Sequence, residues 1–182
     1  MARVFLSLGA NLGDRLGQLR RALDLLAAVE GVTLTNTSRI YETEPWESPP
    51  GQLPDRSHWF RNCVVEIETT LAPERLLWQI QEIERTLGRV RSAPSPEAER
   101  FEPRTMDIDI LLYGDQVISA PAHLHVPHLL MHERGFILSP LADLAPEIEH
   151  PVLYRTIREI LEELEDEHEV ALTDLPFRWY PG

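Results

Sequence analysis

"RVRSAPSPEAERFEPRTMDIDILLY" (Arg89–Tyr113) is the stretch around which the rest of the chain arranges itself. Its last eight residues, "MDIDILLY", predict a β-strand closed by the Gly114-Asp115 turn. Side chains at i and i+2 of a strand share a face, with Cα atoms roughly 6.5–7 Å apart. Asp107 and Asp109 then stand side by side, while Met106, Ile108 and Ile110 face the opposite layer. Two carboxylates on a rigid strand suit Mg²⁺, which takes one or two carboxylates together with substrate phosphates. Arg89, Arg91 and Arg104 precede the strand closely, and guanidinium groups grip phosphate with paired hydrogen bonds. Taken alone, two aspartates at this spacing are more simply the solvent face of an amphipathic strand. The three arginines beside them favour a metal–phosphate site.

At 182 residues the chain has the length of one domain, and its 43% hydrophobic and 26% charged residues are those of an ordinary globular protein. No apolar run approaches a membrane span, and "MARVFLSLGANL" is not a signal peptide, so a cytoplasmic protein is expected. Cys63 is the only cysteine, which excludes an intrachain disulfide and a cysteine metal centre. A net charge of −13 argues against nucleic acid as a partner. All 17 basic residues are arginine, and the lack of lysine has chemical consequences. A Walker-type phosphate loop, a protein-kinase site and Schiff-base chemistry each require a lysine amine. Phosphate, if bound, is handled by arginine and metal.

Working outward toward the N-terminus, Pro73 opens a helix that ends near Gly88 and carries the stripe Leu76, Leu77, Ile80, Ile83 and Leu87, with Trp78 off it. "WFRNCVVEIET" (Trp59–Thr69) predicts a strand with Phe60, Asn62 and Val64 on one face and Trp59, Arg61, Cys63, Val65 and Ile67 on the other. Before it, Glu44 to His58 is a fifteen-residue segment with four prolines, a length that usually marks a functional loop. A strand is expected from about Thr33 to Thr43, and a first buried strand from Arg3 to Leu8. Between them lies a helix capped by Asp14, with Leu16, Leu19, Leu23 and Leu26 inward and Gly31 beyond its end. Toward the C-terminus, Gly114-Asp115 should turn the chain into "QVIS" as a short hairpin partner, and Leu153 to Leu164 form a last amphipathic helix. The order β-α-β-β-α-β-β and then helix predicts an α+β, ferredoxin-like fold: a mainly antiparallel sheet covered by helices, built as the single domain 1–182.

His123, His125, His128 and His132 fall within ten residues, a grouping that can bind zinc. Pro127 interrupts them and no cysteine lies nearby, so a phosphate contact from His128 beside Arg134 is the simpler expectation. Phe60, Asn62 and Phe136 suit a flat heterocycle, since rings stack and an amide both donates and accepts. Core aromatics and a turn asparagine would leave the same signature.

Over nearly its whole length the chain resembles the 6-hydroxymethyl-7,8-dihydropterin pyrophosphokinases of folate biosynthesis. The resemblance rests on "LGANLGDR", "YETEPW", "FRNCVVEIET", "LLWQIQEIERTLGRVR", "PRTMDIDILLYG" and "VPHLLMHERGF". It implies transfer of pyrophosphate from ATP to the pterin hydroxymethyl group with release of AMP. It further implies two Mg²⁺ ions on Asp107 and Asp109, and a triphosphate among Arg89, Arg91, Arg104, His128 and Arg134. Gln81 and, through its backbone, Ile110 match nucleotide contacts; Phe60 and Phe136 match rings that sandwich the pterin, with Asn62 its hydrogen-bonding amide. Thr43, Trp46 and Phe101 are expected in the pterin pocket, and lid loops near 44–58 and 92–100. The hydroxyl proton would pass to Asp109 or to a hydroxide on the metal. Glu84 matches a recurrent acid to which the resemblance assigns no role. A monomer is expected, with ATP and the hydroxymethyl pterin as its small-molecule partners.

The chain departs from the family's pattern in places. Phe101 stands where many relatives carry Trp, Glu102 where Gly or Ala is usual, Leu129 and Phe60 where Tyr is common, and the loop Ser92–Glu99 is longer. These bear on loop closure and affinity rather than on reaction class. A different metal-dependent nucleotidyl or phosphoryl transferase, and a non-catalytic binding module, are the competing expectations.

Overall fold

A computed structural model describes residues 1–45, 55–88, 105–120, 124–176 and 178–180. β1 (Ala2–Ala10) is the centre of the sheet, buried from Val4 onward. Its alternation sends Val4, Leu6, Leu8 and Ala10 to one helical layer and Phe5 to the other. β4 (Phe60–Thr69) runs antiparallel along one side of it and β5 (Asp107–Tyr113) along the other. α1 (Arg15–Ala27) and α2 (Pro73–Thr86) cover the first face through Leu19, Leu23, Leu26, Leu76, Ile80 and Ile83. Asp14 caps α1 by accepting the Gly17 N–H at 3.0 Å, and Pro73 opens α2, as their sequences predict.

β2 (Val32–Thr37) and β3 (Tyr41–Thr43) both pair with β4, and β8 (Val170–Leu172) adds to β3. The sheet order β5-β1-β4-β3-β8, with β2 also on β4, is antiparallel throughout. It is the pairing of a ferredoxin-like β-α-β-β-α-β core, with one edge strand broken in two. That break corrects the single strand expected from Thr33 to Thr43. The buried Ser38 interrupts it: its hydroxyl accepts the Val64 N–H at 2.9 Å while its own N–H goes to the Val64 carbonyl at 2.8 Å.

"QVIS" is not a partner of β5. β6 (Ile118–Ala120) pairs instead with β7 (Leu124–Val126) in a separate two-stranded sheet. The outer edge of β5 is already engaged: Glu84 of α2 takes the Ile108 N–H at 2.9 Å, and the Leu111 carbonyl accepts the His128 N–H at 3.0 Å. The last predicted helix is shorter than expected. It becomes α4 (Ile157–Glu162), because Thr156 and Glu159 form a reciprocal capping box and Tyr154 just upstream has φ +54°. α3 (Gly135–Leu144) starts within "HERGF", which by itself reads as a helix entry, but its length was not expected; it packs with α4 against Phe5, Val64, Leu111 and Leu112 on the second face. Among the described residues no helix is long and apolar enough to cross a membrane.

Candidate active site

The β1 register brings the predicted residues together. Gly9 pairs with Asn62 of β4 on one side and Asp107 of β5 on the other; Ser7 pairs with Val64 and Asp109 one row down. Asn62 and Asp107 are thus two strand spacings apart, about 10 Å. Asp107 and Asp109 are half-buried and share a face, while Met106, Ile108 and Ile110 are buried among the core of α1 and α2. With the Ile110 side chain in that core, only its main chain remains for a ligand.

Asn62 is 5% exposed and its Nδ2 donates to Thr43 Oγ1 at 2.6 Å, a pair that fixes the amide's orientation. The half-buried Phe60 lies beside it, within 3.6 Å of where a Gly9 Cβ would stand. Phe136, on the first turn of α3, carries the Arg134 guanidinium 5.6 Å from its ring centroid.

A bulge delivers His128. Between Phe5 and Leu6 the β1–β5 register slips by one, leaving Leu111 as the extra residue whose carbonyl takes the His128 N–H. Burial, helped by the nearby Arg134 and opposed by Asp107, holds the imidazole down at about 4. Nδ1 accepts the Leu130 N–H at 3.3 Å, so the neutral ring carries its proton on Nε2. His128 is therefore a neutral donor near neutral pH, not a cation. The stability consequence follows from proton binding. Between pH 6.5 and about 4 the unfolded chain protonates this histidine and the folded chain does not. Its contribution is complete above 6.5 and is lost as the pH falls through that window; His150, also lowered chiefly by burial, acts in the same sense. Urea denaturation should give a lower midpoint at pH 5 than at pH 7, and His128→Asn should narrow the difference.

The structure gives Glu84 a place. It is 3% exposed, and its Oε1 receives the Ile108 N–H from between the two aspartates. Glu84→Ala would leave that buried N–H without this acceptor, at a cost of about 1–3 kcal/mol. Turnover should fall on the order of ten- to a hundredfold as the strand bearing both aspartates loosens. Glu84→Gln, which keeps an acceptor oxygen, should recover most of it in denaturation and steady-state assays; equal loss in both variants would count against a positioning role.

Gln81 is half-buried on α2, three residues before Glu84. Trp46, Arg89, Arg91, Phe101, Arg104 and His123 lie outside the described residues, as do Glu102, the loop 92–100 and most of the loop 44–58. Among the described residues no three His, Cys, Asp or Glu side chains converge as a metal group. Gly9 is the residue that the sequence reading passed over; an isolated glycine inside a strand is the signal that could have marked it.

The chain matches the family described as 7,8-dihydro-6-hydroxymethylpterin-pyrophosphokinase over residues 5–146. It is 38% identical over 165 residues to the 2-amino-4-hydroxy-6-hydroxymethyldihydropteridine pyrophosphokinase of Methylorubrum extorquens, covering 91% of this chain and 95% of that protein. It is 36% identical to the folic acid synthesis protein fol1 of Schizosaccharomyces pombe, covering 88% of this chain but spanning only 20% of the fungal protein. Among solved structures, Plasmodium falciparum HPPK-DHPS with pteroate superposes with a TM-score of 0.67 at 19% identity, covering 89% of this chain and 42% of that one.

Proposed function

The chain belongs to the 7,8-dihydro-6-hydroxymethylpterin-pyrophosphokinase family, and from that premise we propose that it transfers pyrophosphate from ATP to 6-hydroxymethyl-7,8-dihydropterin in folate biosynthesis. The observation that carries this reading is the row Asn62–Gly9–Asp107, which sets an oriented amide and a carboxylate on neighbouring strands about 10 Å apart. The hydroxymethyl oxygen attacks the β-phosphorus, the bond to the α,β-bridging oxygen breaks, and AMP leaves.

In this reading Phe60 and Phe136 flank the pterin, and Asn62, held by Thr43, pairs with its polar edge. Trp46 and Phe101 complete the pocket, with the loops near 44–58 and 92–100 closing over it. Gln81, Arg91, Arg104, His128, Arg134 and the Ile110 main chain receive ATP; Arg89, Arg91 and Arg104 offset charge on the phosphates. His128 contributes a neutral Nε2–H donor. Asp107 and Asp109 fit two Mg²⁺ ions: paired carboxylate oxygens on one strand face suit a hard cation that completes its shell with phosphate and water. Bound there, Mg²⁺ would neutralise phosphate charge and stabilise the attacking and leaving oxygens. Rigid strands supply the positioning on which phosphoryl transfer depends. We read residues 1–182 as one such domain, cytoplasmic and monomeric, and the joining of β1 to β8 in one sheet supports its unity.

The test is product analysis with ATP, Mg²⁺ and the hydroxymethyl pterin. Pterin-dependent AMP, with a pterin diphosphate, is the expected result. ADP or free pyrophosphate in its place would discard the assignment.

A further inference from the structure

Downstream of α4, ten residues reach three places around the proposed pterin pocket. All lie beyond residues 5–146, the span of the family match. Asp166, its side chain 2% exposed, accepts the Gly135 N–H on Oδ2 at 2.7 Å and the His168 N–H on Oδ1 at 3.0 Å. Gly135 opens α3, and the preceding Arg134 supplies no side-chain cap. The first turn of the helix that bears Phe136 is thus capped by a carboxylate from a remote segment, where the helix dipole favours negative charge. The fit is close: a Cβ at Gly135 would stand 3.1 Å from Asp166 Oδ2, 3.3 Å from Val170 Cγ2 and 3.5 Å from Leu164 Cδ2.

Three residues on, Glu169 meets both ends of the loop that separates β3 from β4. Its carbonyl accepts the Glu44 N–H at 3.0 Å, its N–H donates to Glu44 Oε2 at 3.3 Å, and its carboxylate pairs with Arg56 at 2.6 Å. β8 follows at once and pairs Val170 with Thr43, the residue that orients Asn62.

We propose that residues 163–172 form a strap that holds the opposing walls of the pterin pocket in register, with Asp166 and Glu169 as positioning residues that set pterin affinity. The proposal rests on the pterin pyrophosphokinase reading of the site. One wall is Phe136 on α3; the other is Thr43 and Asn62 on β3 and β4. Asp166 holds Gly135 between Arg134, read above as an ATP contact, and Phe136, whereas the strap's contacts with Thr43, Glu44 and Arg56 reach the pterin wall alone. The carboxylates of β5 stand at the opposite edge of the sheet from β8, so the strap as a whole bears on the pterin side more than on the nucleotide side.

Steady-state kinetics of Asp166→Ala and Glu169→Ala test it. Asp166→Ala should raise the pterin KM on the order of tenfold, the scale of one lost hydrogen bond to a charged group, and the ATP KM by less. Asp166→Asn, which keeps an acceptor for Gly135, should restore most of the loss. Tyr180→Phe, which removes the bond from the C-terminal segment to Asp24, should leave both constants unchanged. Should Asp166→Ala fold poorly, Gly135→Ala presses on the same contacts and serves instead. Equal shifts in both KM values, or an unchanged pterin KM, would overturn the strap. Amide hydrogen exchange at residues 134–138 and 41–44 decides it independently of turnover: faster exchange in both segments of the Asp166 variant supports it, and unchanged protection overturns it. A parent enzyme that makes no product would strike at the function reading alone.

Discussion

Asp107→Ala and Asp109→Ala are each expected to cut pyrophosphate transfer at least about a thousandfold while the fold survives. Both carboxylates sit on the half-buried face of β5, outside the two apolar clusters that hold the sheet between its helices. Removing either therefore opens no core cavity, and stability should change by no more than about 1 kcal/mol. The loss falls on the reaction, since groups that stabilise developing charge on a phosphate are worth factors of about a thousand or more. Quenched single-turnover assays at saturating ATP and Mg²⁺, beside thermal melts of the same samples, separate the two effects. Transfer near the parent rate in either variant would remove the two-carboxylate metal site.

Gly9→Ala should weaken pterin binding about ten- to a hundredfold, through a single methyl group placed between the two halves of the site. The added Cβ would fall on Asn62 Oδ1, well inside contact distance, and touch Phe60 Cδ1 at 3.6 Å. Asn62 has little room to retreat, being buried and bonded to Thr43. Rotating the amide breaks that bond and turns its donor and acceptor away from the ligand; keeping it in place forces the strands apart. Overpacking of this kind costs about 1–3 kcal/mol. Equilibrium binding of the pterin without ATP is the measurement, and unchanged affinity would show that the amide does not hold the ligand.

Much of this architecture was legible because burial on two faces forces regular patterns. "DIDILLY" and "FRNCVVEIET" each hold a continuous buried run, as strands do where helices cover both sides, and place polar residues where that cover ends. Asp14 and Pro73 announced their helices through the orphan N–H groups they manage. The length of α3 escaped because it is apolar around most of its circumference and contains Pro140, so it shows neither a stripe nor an uninterrupted helical run. β8 escaped because three residues after an acidic run carry no periodic signal. At the proposed site, the resemblance points to carboxylates, rings and an amide, each a side chain with its own chemistry. The roles of Gly9 and Glu84 are relational: one is an absence of bulk beside Asn62, the other a bond to a backbone 24 residues away. The neutral state of His128 depends chiefly on burial, which tertiary packing decides and the local sequence does not announce.

Glu84 has one more consequence, for the behaviour of the sheet in a crowded solution. An edge strand with free N–H and C=O groups is a template onto which another chain can add. On β5 part of that template is spent, on a buried carboxylate at Ile108 and on the main chain of His128 at Leu111. β2 is irregular where its register slips between Leu34 and Asn36, and β8 offers three residues. The contacts that hold β5 in place thereby also shield it from mispairing with a neighbour. Loosening Glu84 would expose the protein to sticking as well as to slowness.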